Sequence, residues 1–181
     1  SAAINEGTLT LGNGSNGGLA SNYTLTGHAS SSFQINQRVL NSSGSRIYDG
    51  SATASSSNLT LSNLVGSETL TLSGNGTLAN ANVATNKSVT LNTLSIADGS
   101  NGGLAANYIL AGGTHQLTVT QRVLNATGTR LYDASTNANS SDLSLGNLVG
   151  SETLVLSGTG TLPDKNVAIN KTISVGTLSL G

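Results

Sequence analysis

An internal repeat constrains this chain more than any other feature. RVLNSSGSRIYDG (38–50) returns as RVLNATGTRLYDA (122–134), and NLVGSETLTLSGNGTL (63–78) returns as NLVGSETLVLSGTGTL (147–162), each 84 residues on. GSNGGLASNYTLTG (14–27) returns as GSNGGLAANYILAG (99–112) at an offset of 85, so one residue is lost before Gln121, in the stretch that begins at His28 in the first copy. Solenoid repeats run to about 20–50 residues. A period of 84 is instead the size of a small domain, and both copies must adopt the same fold. The chain therefore reads as two units, 1–92 and 93–181, with alternative cuts near 38 and 122 that would leave one whole unit and two fragments.

Within each copy the apolar residues alternate with period two. Leu9 and Leu11, Leu59 and Leu61, Leu70 and Leu72, and Val89 and Leu91 are separated by threonine, and the second copy repeats the apolar spacing at Leu143 and Leu145, Leu154 and Leu156, Ile173 and Val175, and Leu178 and Leu180. Alternation places the apolar set on one face of a strand and the hydroxyls on the other. Gly- and Asn-rich breaks recur between the runs, no segment holds a helical period, and the β-branched content disfavours helix. The fold class is all-β: tandem small β-sandwiches, immunoglobulin-like or β-grasp-like, stacked end to end. GNGSNGG and DGSNGG are expected to be tight hairpin turns. Gly74 and Gly76, like Gly158 and Gly160, mark a bulge or short turn. FQINQRVLN (33–41) and LTVTQRVLN (117–125) alternate without Gly or Pro and are expected to be unbroken strands.

Composition narrows the function. Charged residues make up 8% and aromatics 3%, against about 25% charged in an ordinary soluble domain. The net charge is −1, so there is no basic surface for nucleic acid. No apolar run is long enough to span a membrane as a helix. Cysteine is absent, which removes disulfides and thiolate metal sites. No signal peptide is visible, and the expectation is a piece of a longer exported protein, monomeric as it stands.

The charges present in both copies are Arg38/Arg122, Arg46/Arg130, Asp49/Asp133, Glu68/Glu152 and Lys87/Lys171. A glycosidase would pair two carboxylates such as Asp49 and Glu68 as acid and base. The favoured reading is structural: Asp49 caps a turn, Glu68 closes a loop against Lys87 or Arg46, and the lysines are solvated at strand starts. A Lys–Asn isopeptide bond at Lys87 or Lys171, with Glu68 or Glu152 as the acid, is the sharper alternative. His28 and His115 do not align, Asp98 faces Asn13 across the repeat, and neither zinc nor calcium has a ligand set. No cofactor and no enzymatic activity are expected. Nine Asn-x-Ser/Thr sequons begin at Asn13, Asn22, Asn41, Asn58, Asn75, Asn86, Asn125, Asn139 and Asn170; most reflect the composition.

Tyr48-Asp49-Gly50, Gly66-Ser67-Glu68-Thr69-Leu70, Lys165-Asn166-Val167 and Asn107-Tyr108 together carry a family likeness. In their order the chain resembles the YDG-type repeat of bacterial filamentous-haemagglutinin-like, two-partner-secreted adhesins. The departures are Ala134 for the motif glycine after Tyr132-Asp133, Leu78 and Leu162 for phenylalanine, Ala84 and Ala168 for glycine, and Ala81-Asn82-Val83 without the lysine. The resemblance implies a secreted, cell-surface protein in which neighbouring repeats form a stalk that presents an adhesive region for attachment and biofilm growth. The alternative is a module that itself binds host-cell or matrix glycans. Tyr48 and Tyr132 read as core rings with the hydroxyl on a polar partner, which favours the stalk, since sugar sites stack aromatics at the surface.

Overall fold

The computed structural model describes residues 2–3, 7–25 and 32–181; His28 and the length difference beside it lie outside the described residues. In chain order the strands are β1 (Ala2–Ala3), β2 (Ser32–Phe33), β3 (Arg38–Val39), β4 (Asn41–Ile47), β5 (Thr53–Ser55), β6 (Leu59–Ser62), β7 (Leu70–Ser73), β8 (Asn75–Thr77), β9 (Ala84–Ser88), β10 (Ser95–Asp98), β11 (Tyr108–Ile109) and β12 (His115–Thr120). Then follow β13 (Asn125–Gly128), β14 (Asn137–Asn139), β15 (Leu143–Gly146), β16 (Leu156–Ser157), β17 (Thr159–Thr161) and β18 (Ser179–Leu180). Helix among the described residues is limited to four single 3-10 turns, each three residues long. The chain is all-β, built of small sheets, and none of the described sheets closes into a barrel.

The largest sheet has the order β6-β4-β12-β9. Its two central strands come from different copies of the sequence repeat. β12 lies parallel to β4, with His115 opposite Ser42 and Thr120 opposite Ile47, and antiparallel to β9 with an irregularity between Leu117 and Val119. Leu40 N–H donates to the Ile109 carbonyl at 2.9 Å, Ser42 N–H to Thr114 at 3.0 Å and Tyr48 N–H to Thr120 at 2.8 Å. Smaller pairs surround this sheet: β5 with β8, β7 with β10, and the parallel pair β3 with β11.

The second copy reproduces part of this pattern. β13 pairs β15 as β4 pairs β6, β14 pairs β17 as β5 pairs β8, and β16 pairs β18 as β7 pairs β10. The stretch 168–172, which repeats the sequence of β9, forms no strand. The cause is local: β9 is held by β12, and an extended segment with nothing to pair with is not stable in water.

Leu40, Leu59, Leu78, Val89, Leu94, Tyr108, Leu110, Leu117 and Val119 are buried together in one cluster. That core spans the 92/93 boundary, whereas cuts near 38 and 122 leave it whole. In the second copy the matching positions Leu124, Leu143, Leu162, Ile173 and Leu178 are only half-buried.

Three local expectations are corrected. Residues 33–41 and 117–125 are not continuous strands. Coil separates β2 from β3 at 34–37, and 121–124 separates β12 from β13, because the chain leaves one sheet there and enters another. Asn16-Gly17 and Asn101-Gly102 do take the paired positive φ of a tight turn. That turn is not a hairpin, since β10 before it pairs with β7 and β11 after it pairs with β3. Gly74, at φ +83, separates β7 from β8, which belong to different sheets, so it is a corner rather than a bulge. A side chain there would sit 2.1 Å from the Thr93 carbonyl.

If β12 completes the first core, Leu117→Ala should cost about 2–5 kcal/mol in a urea denaturation curve. Leu131→Ala, at an exposed position, should stay within about 0.5 kcal/mol.

Candidate functional site

The shared charged residues are each engaged in a hydrogen bond within the protein. Arg38 donates from Nε to the Asn63 carbonyl at 2.6 Å and from its guanidinium to Asn63 Oδ1 at 2.7 Å, while Asn63 Nδ2 returns to the Val39 carbonyl at 2.6 Å. Arg122 repeats this on Asn147 and Val123 at 2.7, 2.7 and 2.8 Å. Asn63 and Asn147 hold φ of +73 and +69, a conformation asparagine tolerates better than most residues. The sequence reading missed these asparagines. Their signal was the exact return of Arg-Val-Leu-Asn and Asn-Leu-Val at one offset.

The Tyr-Asp-Gly turn is a second such cluster. Asp49 accepts from Arg46 and from the Ser51 N–H at 2.9 Å, and Arg46 also donates to the Ser51 carbonyl. In the second copy Asp133 accepts from Arg130 at 2.9 Å and from the Ser135 N–H at 2.9 Å. Asp49 and Asp133 are therefore turn caps. Gly50 has φ +75, and Ala134, in the glycine position, is forced to φ +59.

The lysines cap loops. Lys87 Nζ donates to the Asn80 carbonyl at 2.9 Å, to Asn80 Oδ1 at 2.7 Å and to the Asn82 carbonyl at 2.5 Å. Lys171 does the same on Asp164 at 2.8 and 2.5 Å. They are half-buried rather than freely solvated. The Lys171 hydrogen bond, helped by the Asn166 N–H, holds the Asp164 carboxyl below its ordinary range. Glu68 bonds neither Lys87 nor Arg46. It accepts from the Tyr108 hydroxyl, so the acid of the isopeptide scheme is engaged elsewhere, and Asp49 and Glu68 each have separate partners.

Two tyrosine–glutamate pairs link the sequence copies. Tyr108, 3% exposed, donates to Glu68 and accepts from the Val65 N–H at 3.2 Å. Asn107 ends the 3-10 turn just before it. Tyr48, half-buried against the first core, donates to Glu152 of the second copy. Beside it, a methyl added at Gly50 would lie 2.9 Å from Val149 Cγ1. Tyr132 is 60% exposed, which corrects its assignment to a core.

His115 is buried, with Nε2 2.9 Å from the Leu110 carbonyl and Nδ1 2.9 Å from Ser42 Oγ. The carbonyl only accepts, so Nε2 carries a proton and donates to it. Asp98 Oδ1 takes the Ala105 N–H at 2.7 Å, as Asn13 Oδ1 takes the Ala20 N–H at 2.8 Å, so the aspartate does the work of an asparagine. Among the described residues no cluster of His, Asp and Glu could hold a metal ion. A cleft of about 520 Å³ opens between Tyr48 and Val83 on one side and the leucines of the second copy on the other.

A family model described as the YDG domain matches residues 34–116 and again 114–181. No curated protein and no solved structure matches the chain.

The hydrogen bond to Glu68, with burial, raises the Tyr108 phenol above its ordinary 10.0, and Glu152 does the same to Tyr48. A raised value means the folded state holds the proton more tightly. This stabilisation is therefore complete below pH 10 and is lost as pH rises through the folded value. In an ultraviolet titration of phenolate, Glu68→Gln should move one tyrosine back toward its ordinary value. At the turn, Ala134→Gly should raise stability by about 1 kcal/mol by relieving left-handed strain, and Gly50→Ala should lower it by at least as much, read from thermal melts.

Proposed function

The chain belongs to the YDG domain family, and we propose that its two repeats are structural stalk or spacer modules of a secreted bacterial surface adhesin, holding an adhesive region away from the cell. The observation that carries this reading is the contact between repeats, in which Tyr48 beside the first core donates to Glu152 of the second. Repeats tied by such a bond transmit force along the chain. Repeats joined by flexible linkers do not. The shared charged side chains are engaged in hydrogen bonds within the protein, which leaves a surface of serine, threonine and asparagine suited to long exposure to water.

An alternative function as a glycan-binding module draws on Tyr23, Phe33 and Tyr132, which are exposed rings on which a sugar could stack. The spacer reading is preferred because Tyr48, the counterpart of Tyr132, is bonded to the neighbouring repeat. A compact 181-residue globule would have a radius of gyration of about 16 Å, and two units stacked lengthwise about 22 Å. Small-angle scattering from dilute protein should give the larger value, and the smaller one would defeat the stalk. On a glycan array the chain should bind nothing; binding abolished by Tyr132→Ala would favour the module instead.

A further inference from the structure

We propose that the parallel seam between residues 37–48 and 106–120 is a mechanical clamp, which holds the unit from β3 to β12 folded when the chain on either side of it is pulled. Among the described residues the two parallel pairs, β3 with β11 and β4 with β12, both lie in this seam, and every other strand pair is antiparallel. The direction matters because of where the chain enters and leaves. It enters the unit at β3 and leaves it from β12. In neighbouring parallel strands those two points lie at opposite ends of the seam. Tension then runs along the strands and loads all of the seam's hydrogen bonds together. Had the strands been antiparallel, both points would lie at one end, and the bonds would be peeled away one at a time.

The seam is long, braced and dry. At its start the Gln37 side chain donates to the Ala106 and Tyr108 carbonyls, both at 3.1 Å, and Arg38 lies opposite Tyr108. Leu40 N–H then donates to the Ile109 carbonyl at 2.9 Å. Between β11 and β12 the register shifts, yet contact is kept: Thr114 N–H donates to Asn41 Oδ1 at 2.8 Å and Ser42 N–H to the Thr114 carbonyl at 3.0 Å. A side chain at Gly113 would meet the Leu40 carbonyl at 1.9 Å, so glycine is what lets the two chains stay together through the shift. From His115 opposite Ser42 the ladder runs to Thr120 opposite Ile47. It ends with Tyr48 N–H on the Thr120 carbonyl at 2.8 Å and Thr120 Oγ1 on the Arg46 carbonyl at 3.2 Å. β6 and β9 flank the two strands, so neither can swing out sideways. Leu40 and Leu117 are 0% exposed and Val119 1%, and the buried side chains of Ser42 and His115 are bonded across the seam at 2.9 Å. A stretched hydrogen bond that water cannot reach has no substitute partner, so breaking it costs more than breaking an exposed one.

The clamp rests on the spacer reading for its use, since only a chain under tension needs one; its geometry does not depend on that reading. The chain has no cysteine, so a pair of introduced cysteines gives the only attachment points for optical tweezers and sets the direction of the pull on the full chain. Asn36, Ala106 and Gln121 are exposed, and both pairs of substitutions should leave the thermal melt unchanged. Handles on Asn36→Cys and Gln121→Cys pull along the seam. Handles on Asn36→Cys and Ala106→Cys pull it open from one end. Unfolding is recognised by the release of about 3.3–3.6 Å of chain per residue between the handles. At one loading rate the first pair should unfold at a force several-fold higher than the second. Equal forces, or a lower force along the seam, would overturn the clamp. The spacer reading stands or falls separately: a compact particle in small-angle scattering defeats it even where the unfolding force depends on direction.

Discussion

Leu117 and Val119 reach the core of the first repeat on β12, a strand that the sequence places in the second copy, and the rest of the fold depends on that insertion. Each side chain buries surface worth roughly 1.5–3 kcal/mol. The strand also turns β4 from an edge into a central strand and gives β9 its partner. Parallel pairing cannot be made by a tight turn, because the chain must travel the length of the unit before returning alongside β4. Most of one 84-residue period is that crossover. Residues 168–172, which repeat the sequence of β9, form no strand.

A chain with so few charges could waste none of them. Each arginine and lysine common to both copies is tied to oxygens within its own repeat: Arg38 to Asn63, Arg46 to Asp49 and Ser51, and Lys87 to Asn80 and Asn82. Exposed ion pairs contribute little individually. Their value here is to fix turns whose backbone leaves the common regions of conformational space, at Asn63, Gly50 and their counterparts. The Tyr–Glu bonds differ in kind, since both run between sequence copies and tie the turns together across the period.

The all-β class and the duplicated turns were legible because period-two alternation and the Asn-Gly and Tyr-Asp-Gly signals are local. Asp49 could be read as a turn cap from its neighbours alone. The phase of the unit was not legible, since a perfect repeat looks the same from any starting point, and the pairing of His115–Thr120 with Asn41–Ile47 is long-range and leaves no local signal. Tyr132 was misplaced for a related reason. Near-identical sequence implied an identical environment, yet Tyr48 is half-buried and bonds Glu152 while Tyr132 is exposed. The unbroken strand expected at 117–125 failed because alternation continues through residues 121–124 while the hydrogen-bonding partners change.

Amide hydrogen exchange followed residue by residue tests most directly whether a repeat is completed by the segment of the next copy. Measured in dilute protein, the amides of Leu40, Ser42 and Tyr48, bonded to residues 109–120, should be among the slowest to exchange. Their counterparts Leu124, Ala126 and Tyr132 should exchange far faster despite near-identical sequence. Equal protection of the two sets would contradict the account, because the second repeat would then be closed without the insert.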